Sequence, residues 1–179
     1  MITAKDFNGK SIISIADGSI LGEVKDIYLD AEMRQVVGVY LGTEGLIKRK
    51  DKVIQRSAVA VLGVDVWLVS GSDVVVEKDS LPDAAAYSLV SNVRGREIQT
   101  DGGTKIGVIE DVLLDENTGV LGFSLGKVYA QGPLAERKAV IRDAIKDLGS
   151  KDAPMVADLA LAEAGVIPAV SPINPKIIT

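Results

Sequence analysis

The sequence predicts an all-β chain: two tandem small β-barrels, a short linker between them, and a C-terminal extension that reads as helical. Three observations carry this. The chain repeats itself at a spacing of 84 to 86 residues. Each copy divides into short apolar runs punctuated by Gly-containing turns, the pattern of small barrels and sandwiches. At 47% hydrophobic and 25% charged residues over 179 positions, the composition is that of a packed globular protein and not of a disordered one. The expected divisions are residues 1–78 for the first barrel, 79–90 for the linker, 91–152 for the second barrel and 153–179 for the extension.

The repeat is read in four blocks in the same order. "DFNGKSI" (Asp6–Ile12) parallels "NVRGREI" (Asn92–Ile98), which sets Gly9 on Gly95 and Lys10 on Arg96. "GEVKDIYLD" (Gly22–Asp30) parallels "GVIEDVLLD" (Gly107–Asp115). "VVGVYLG" (Val36–Gly42) parallels "VLGFSLG" (Val120–Gly126), and "VIQRSAVAVLG" (Val53–Gly63) parallels "AVIRDAIKDLG" (Ala139–Gly149). Offsets drift only where loops fall, so the chain is a duplication.

Within each copy, Asp17-Gly18 and Asp101-Gly102-Gly103 mark tight hairpin turns. "VVGVYL" and "VLGFSL" carry the β-branched and aromatic residues that suit a half-buried pleated surface. Val24 and Ile109 lie on the wrong parity to share a face with Ile27 and Leu29, or with Val112 and Leu114. A β-bulge, or a sharp strand bend, near Lys25-Asp26 and near Glu110-Asp111 restores all of them to one core. "VDVWLVSGSDVVVE" reads as a hairpin with Ser70-Gly71-Ser72 at its tip, and Trp67 reads as a core residue, with a partner anchor or a place between the barrels as the alternative. "EKDSLPDAAAYS" (Glu77–Ser88) reads as a linker with one or two helical turns after Ser80. The last segment has no matched block in the first copy. Asp152 as cap, Pro154 in the first turn and Gly165 past the end suggest a helix. The competing reading makes "PMVAD" the closing strand of the second barrel. The Pro-containing tail, with Pro168, Pro172 and Pro175, reads as extended.

The chain holds no Cys and no His. That excludes disulfides, thiolate chemistry, Ser-His-Asp catalysis and ordinary zinc or copper sites. With a net charge of −5 there is no global field to draw in phosphate backbones, so no direct nucleic-acid binding is expected. The one basic run, "IKRKDK" (Ile47–Lys52) with Arg56 beyond, reads as a solvated loop or a strand edge guarded by Lys. No apolar run is long enough for a membrane span and no leader is visible, so a cytoplasmic protein is expected. Asp26, Asp30, Asp111 and Asp115 are the carboxylates that could suggest a divalent cation or an acid/base pair. Their places, at the bulge and at the strand-to-turn junction of both copies, favour hydrogen bonding to local backbone amides. "DENTG" (Asp115–Gly119) lacks the spaced acidic ligands of an EF-hand. No catalytic, cofactor-binding or metal-binding residue is assigned.

The pattern formed by Asp17, Gly18, Leu21, Gly22, Val24, Asp26, Leu29, Asp30, Gly38, Val39 and Leu41 resembles the PRC-barrel family. It recurs on Gly102, Gly103, Ile106, Gly107, Ile109, Asp111, Leu114, Asp115, Gly122, Phe123 and Leu125. The resemblance covers roughly residues 3–76 and 88–150. Members form part of the photosynthetic reaction centre H subunit and of a ribosome maturation factor. The resemblance implies two small β-barrels in unrelated assemblies, and it does not dictate a task. The expected function is a non-enzymatic protein-interaction or assembly module with a protein partner and no cofactor. The alternative is a ribosome-maturation role through contact with ribosomal proteins. Self-association of the whole chain stays open.

Overall fold

The structure, a computed structural model, describes residues 2–168. Strands dominate. The first copy contains β1 (Ile2–Thr3), β2 (Ser11–Ser14), β3 (Ile20–Glu23), β4 (Asp26–Leu29), β5 (Val36–Glu44), β6 (Lys50–Gln55), β7 (Val59–Leu62), β8 (Val66–Val69) and β9 (Val75–Glu77). β10 (Ser88–Leu89) follows at the junction. The second copy contains β11 (Glu97–Thr100), β12 (Lys105–Leu114), β13 (Val120–Val128), a short helix α1 (Pro133–Arg137), β14 (Ala139–Ile141), β15 (Ile145–Asp147), β16 (Met155–Ala157) and helix α2 (Leu159–Ala164).

The described chain divides into two compact units, one of residues 4–89 and one of residues 2–3 with 90–168. The divisions cut across the copies at both ends. β1 pairs antiparallel with β12 in the second unit, Ile2 opposite Leu114 and Thr3 opposite Leu113. β10 pairs in the same way with β4 in the first unit, Ser88 opposite Leu29 and Leu89 opposite Tyr28. Leu29 and Leu114 are matched in the repeat, as are Tyr28 and Leu113. The two short strands therefore fill equivalent edges.

In the first unit a four-stranded sheet runs β3-β2-β8-β7 and a five-stranded sheet runs β10-β4-β5-β6-β9. In the second, one sheet runs β14-β13-β12-β11-β16-β15, with β1 added on β12. No pairing among the described strands closes these sheets into a ring, so the expectation of closed barrels is not carried by hydrogen bonding. The expected irregularity is present in both copies, as a bulge in the second and as an interruption of the strand in the first. In β12 the register shifts between Val108 and Ile109 and again between Ile109 and Asp111. In the first copy the same place is a break between β3 and β4. There the Val24 N–H donates to the Lys10 carbonyl at 2.9 Å and the Lys25 N–H to the Tyr40 carbonyl at 2.8 Å. The extra residues turn the chain, and Val24, Ile27 and Leu29 are buried together with Ile109, Val112 and Leu114 in their respective units.

Three local expectations are corrected. "VDVWLVSGSDVVVE" is not a hairpin: β8 pairs with β2 and β7, whereas β9 pairs with β6 in the other sheet. Most of residues 79–90, expected as a linker, belongs to the first unit. Leu81 and Ala84 are buried against Tyr28 and Val53, and Leu89 adds to that cluster. The closing-strand reading of "PMVAD" holds for β16, which runs parallel to β11 with Met155 opposite Ile98. β8 runs parallel to β2 with Trp67 opposite Ile12, so β16 is the structural counterpart of β8 and the repeat extends to the last strand. The helix begins later than Asp152 suggests: Asp158 is its cap, its carboxylate accepting the Leu161 N–H at 3.0 Å. Gly165 ends it as expected, close enough to Ile141 that a Cβ would lie 2.5 Å from Cδ1. The guanidinium of Arg137 donates to the Ala162, Glu163 and Gly165 carbonyls, satisfying the helix end. The tail expectation beyond Pro168 lies outside the described residues.

Trp67 is wholly buried, with Phe7 edge-to-face against it at 4.9 Å. Lys10 and Arg96, matched in the repeat, do matched work. Lys10 donates to the Val64 carbonyl and Arg96 to the Leu148 carbonyl, each in the turn before the closing parallel strand.

Candidate interaction surfaces

The four carboxylates matched between the copies accept hydrogen bonds from backbone amides. Asp26 accepts the Ile27 N–H at 2.8 Å and Asp111 the Val112 N–H at 2.9 Å. Asp111 also faces Arg94, whose Nε donates to Oδ1 at 3.0 Å while Nη2 lies 2.9 Å away without hydrogen-bond geometry. The position matching Arg94 in the first copy is Asn8. Asp30 accepts the Arg34 and Gln35 amides, and Asp115 the Asn117 and Gly119 amides. These are the turn and bulge roles the repeat pattern suggests. Among the described residues no three carboxylates gather in a way that could hold a metal ion. Two open depressions, of about 230 and 310 Å³, are lined by residues such as Arg96 and Lys151, or Leu81 and Asp83, with no Ser, Thr or Tyr hydroxyl in either lining.

The copies differ at one junction, and the difference shapes the surface. In the second unit the end of β13 stays on β12, with Lys127 opposite Val108 and Val128 opposite Gly107. The Tyr129 N–H continues the contact to the Ile106 carbonyl at 2.9 Å. In the first unit the matched end of β5 leaves and pairs with β6 instead, Thr43 opposite Asp51 and Glu44 opposite Lys50. The cause is local. The first copy returns in the six-residue strand β6, long enough to hold the end of β5. The second copy returns through Gly132-Pro133 into α1, and only the three residues of β14 remain to pair with β13.

Two consequences follow for the first unit. β3 pairs only with β2, so among the described strands its outer edge is uncovered. On that strand Ile20 is 69% exposed. The second consequence is a projecting β5–β6 hairpin. Its arms are joined by Thr43 Oγ1 donating to Asp51 at 3.0 Å, with Tyr40 Oη 2.8 Å from Thr43 Oγ1 along β5, and Lys50 ties β6 to Glu77 of β9 at 2.7 Å. Lys52 lies 3.9 Å from Glu44. At the turn Gly45 has φ +107°, and a Cβ there would fall 2.3 Å from the Lys48 carbonyl oxygen, so the turn requires glycine. Beyond it Leu46 and Ile47 are fully exposed, at 103% and 97%, followed by Lys48 and Arg49.

The basic run divides: residues 47–49 lie in the exposed turn, the expected solvated loop, and the strand-edge alternative fails for the rest. β6 is an interior strand between β5 and β9, and Lys50 and Lys52 are paired with carboxylates rather than guarding an edge. Arg56, half-buried, turns its guanidinium to the Val59 carbonyl at 3.5 Å. Sequence reasoning missed Leu46 and Ile47 because two aliphatics before a basic run look like the start of a strand. The turn signal that exposes them is Gly45.

No helix among the described residues is long and apolar enough to cross a membrane. No curated protein matches the chain in sequence comparison. The family model for the PRC-barrel domain matches residues 1–79 and again residues 87–129, one match for each copy of the repeat. The chain belongs to the PRC-barrel domain family, of which it carries two tandem copies.

Proposed function

We propose that the protein is a non-enzymatic interaction module that takes a protein partner on the open edge of β3. The observation that supports this is the unequal treatment of one edge in two copies of the same fold. β13 covers the edge in the second unit, whereas the first unit leaves it bare with Ile20 exposed on the strand. Uncovered, apolar edges are a hazard that native proteins otherwise guard with charge, Pro or a covering element. A retained one fits strand addition by an extended peptide, in which main-chain hydrogen bonds supply affinity and flanking side chains supply selectivity. The absence of His and Cys from the sequence, and carboxylates committed to backbone amides, agree with a non-catalytic role.

The experiment is affinity capture with the full chain from native lysate, identification of the recovered protein, and titration of that purified partner. A stoichiometric complex is expected, weakened on the order of tenfold by Ile20→Lys. Val64→Lys, at an exposed aliphatic in the β7–β8 turn, is expected to leave it unchanged. Recovery of ribosomal particles alone, or equal binding by both variants, overturns the reading.

A further inference from the structure

We propose that the tip of the β5–β6 hairpin, residues Gly45 to Arg49, docks on an anionic lipid surface. The inference stands apart from the β3 edge and does not depend on it. Leu46 and Ile47 are adjacent, aliphatic and wholly exposed, a pair that an aqueous environment penalises and that packing in the first unit does not use. Gly45 forces the turn that projects them. Lys48 and Arg49 come next, and among the described residues no carboxylate forms an ion pair with either. The carboxylates of the hairpin lie further down its arms and are engaged there, Glu44 with Lys52 and Asp51 with Thr43, while Glu77 of β9 pairs with Lys50. The apex therefore presents two apolar side chains with two free cations at their base.

That order of chemistry fits an interfacial wedge. Aliphatic side chains enter the headgroup–acyl boundary while cations meet the phosphates above it. A protein partner fits less well. A five-residue loop offers far less than the roughly 800 Å² per partner of a stable protein interface, and it holds no Trp or Tyr anchor. A fluid bilayer needs neither a matching pocket nor a large footprint. The chain's net charge of −5 opposes approach to an anionic surface, so attachment is confined to the tip and is weak and salt-sensitive.

The test is co-sedimentation of the full chain with vesicles of phosphatidylcholine alone, and with phosphatidylcholine containing roughly one-third phosphatidylglycerol. Two variants accompany it, Leu46→Ser with Ile47→Ser and Lys48→Ser with Arg49→Ser. Circular dichroism checks that both remain folded, as expected for a fully exposed tip. The wild type is expected to bind the mixed vesicles at low salt and to release them as salt rises. Loss of the two cations is expected to weaken this on the order of 30-fold, and loss of the aliphatic pair on the order of tenfold or more. Absence of binding to the mixed vesicles, equal binding to both compositions, or binding untouched by either variant overturns the proposal. So does a result in which the tip variants abolish capture of a protein partner while vesicles never bind.

Discussion

The phenol oxygen of Tyr28 is buried and has no hydrogen-bond partner among the described residues. The ring is well used: Tyr40 packs edge-to-face at 6.0 Å and the Lys78 ammonium lies 5.1 Å over its face. Burial accordingly pushes the phenol pKa up, since the charged form has nothing to solvate it. The hydroxyl is thus a desolvated group without compensation, and Tyr28→Phe is expected to stabilise the protein by about 1 kcal/mol in urea denaturation. A destabilised variant would show that the oxygen is satisfied in solution. Asp111 presents the opposite case, for it joins the Val112 amide to Arg94. Asp111→Ala is expected to cost about 2 kcal/mol by the same measurement, because it strips a charged acceptor from two donors. The role of Asp111 at the bulge was legible in the repeat. Its Arg94 partner was not, since that position is Asn8 in the first copy and the repeat carries no signal for it.

At the scale of elements, helix α2 is anchored at both ends, and each anchor has a test. Hydrogen bonding from the Leu161 amide holds the Asp158 carboxyl below the usual carboxylate range, with Lys146 at 3.5 Å adding to the effect. A depressed folded pKa means that this anchoring is complete above the unfolded carboxylate pKa and disappears as pH falls through the folded value. The protection of the Leu159–Ala164 amides, their exchange taken relative to an unfolded chain at the same pH, is therefore expected to fall on the acid side of the ordinary carboxylate range, and Asp158→Asn is expected to abolish that pH dependence. At the other end, Arg137→Ala removes the donors to the last carbonyls and is expected to free the helix, with a cost of about 1–3 kcal/mol on the second unit. The bulges were legible because parity is a local property: Val24 against Ile27 can be counted along the chain. The partners of β8 and β9 were not, since adjacent runs look like a hairpin until non-local pairing sends each to a different sheet. The choice between helix and strand for residues 153–165 had the same origin, and both elements are present in sequence.

For the molecule as a whole, the duplication, the all-β character and the family were all legible. The exchange of terminal strands was not, because a two-residue strand carries no periodicity and its partner is decided by which edge is open. β1 is a working part of the second unit, with Ile2 buried opposite Leu114. Ile2→Ala is expected to destabilise residues 90–168 by about 2 kcal/mol while leaving the first unit unchanged, as read by hydrogen exchange in each unit. Equal loss in both units would refute the assignment. The exchange also decides how this chain can be divided. A cut after Leu89 does not yield two equivalent halves. The leading fragment keeps its own outer strand and carries away its neighbour's, and the trailing fragment is left with β12 bare along Leu113 and Leu114. Fragments made at the repeat boundary are accordingly expected to differ in solubility, the trailing one recovering when a peptide of the first few residues is returned in trans. The order in which the two copies are joined is therefore part of what each copy needs in order to be whole.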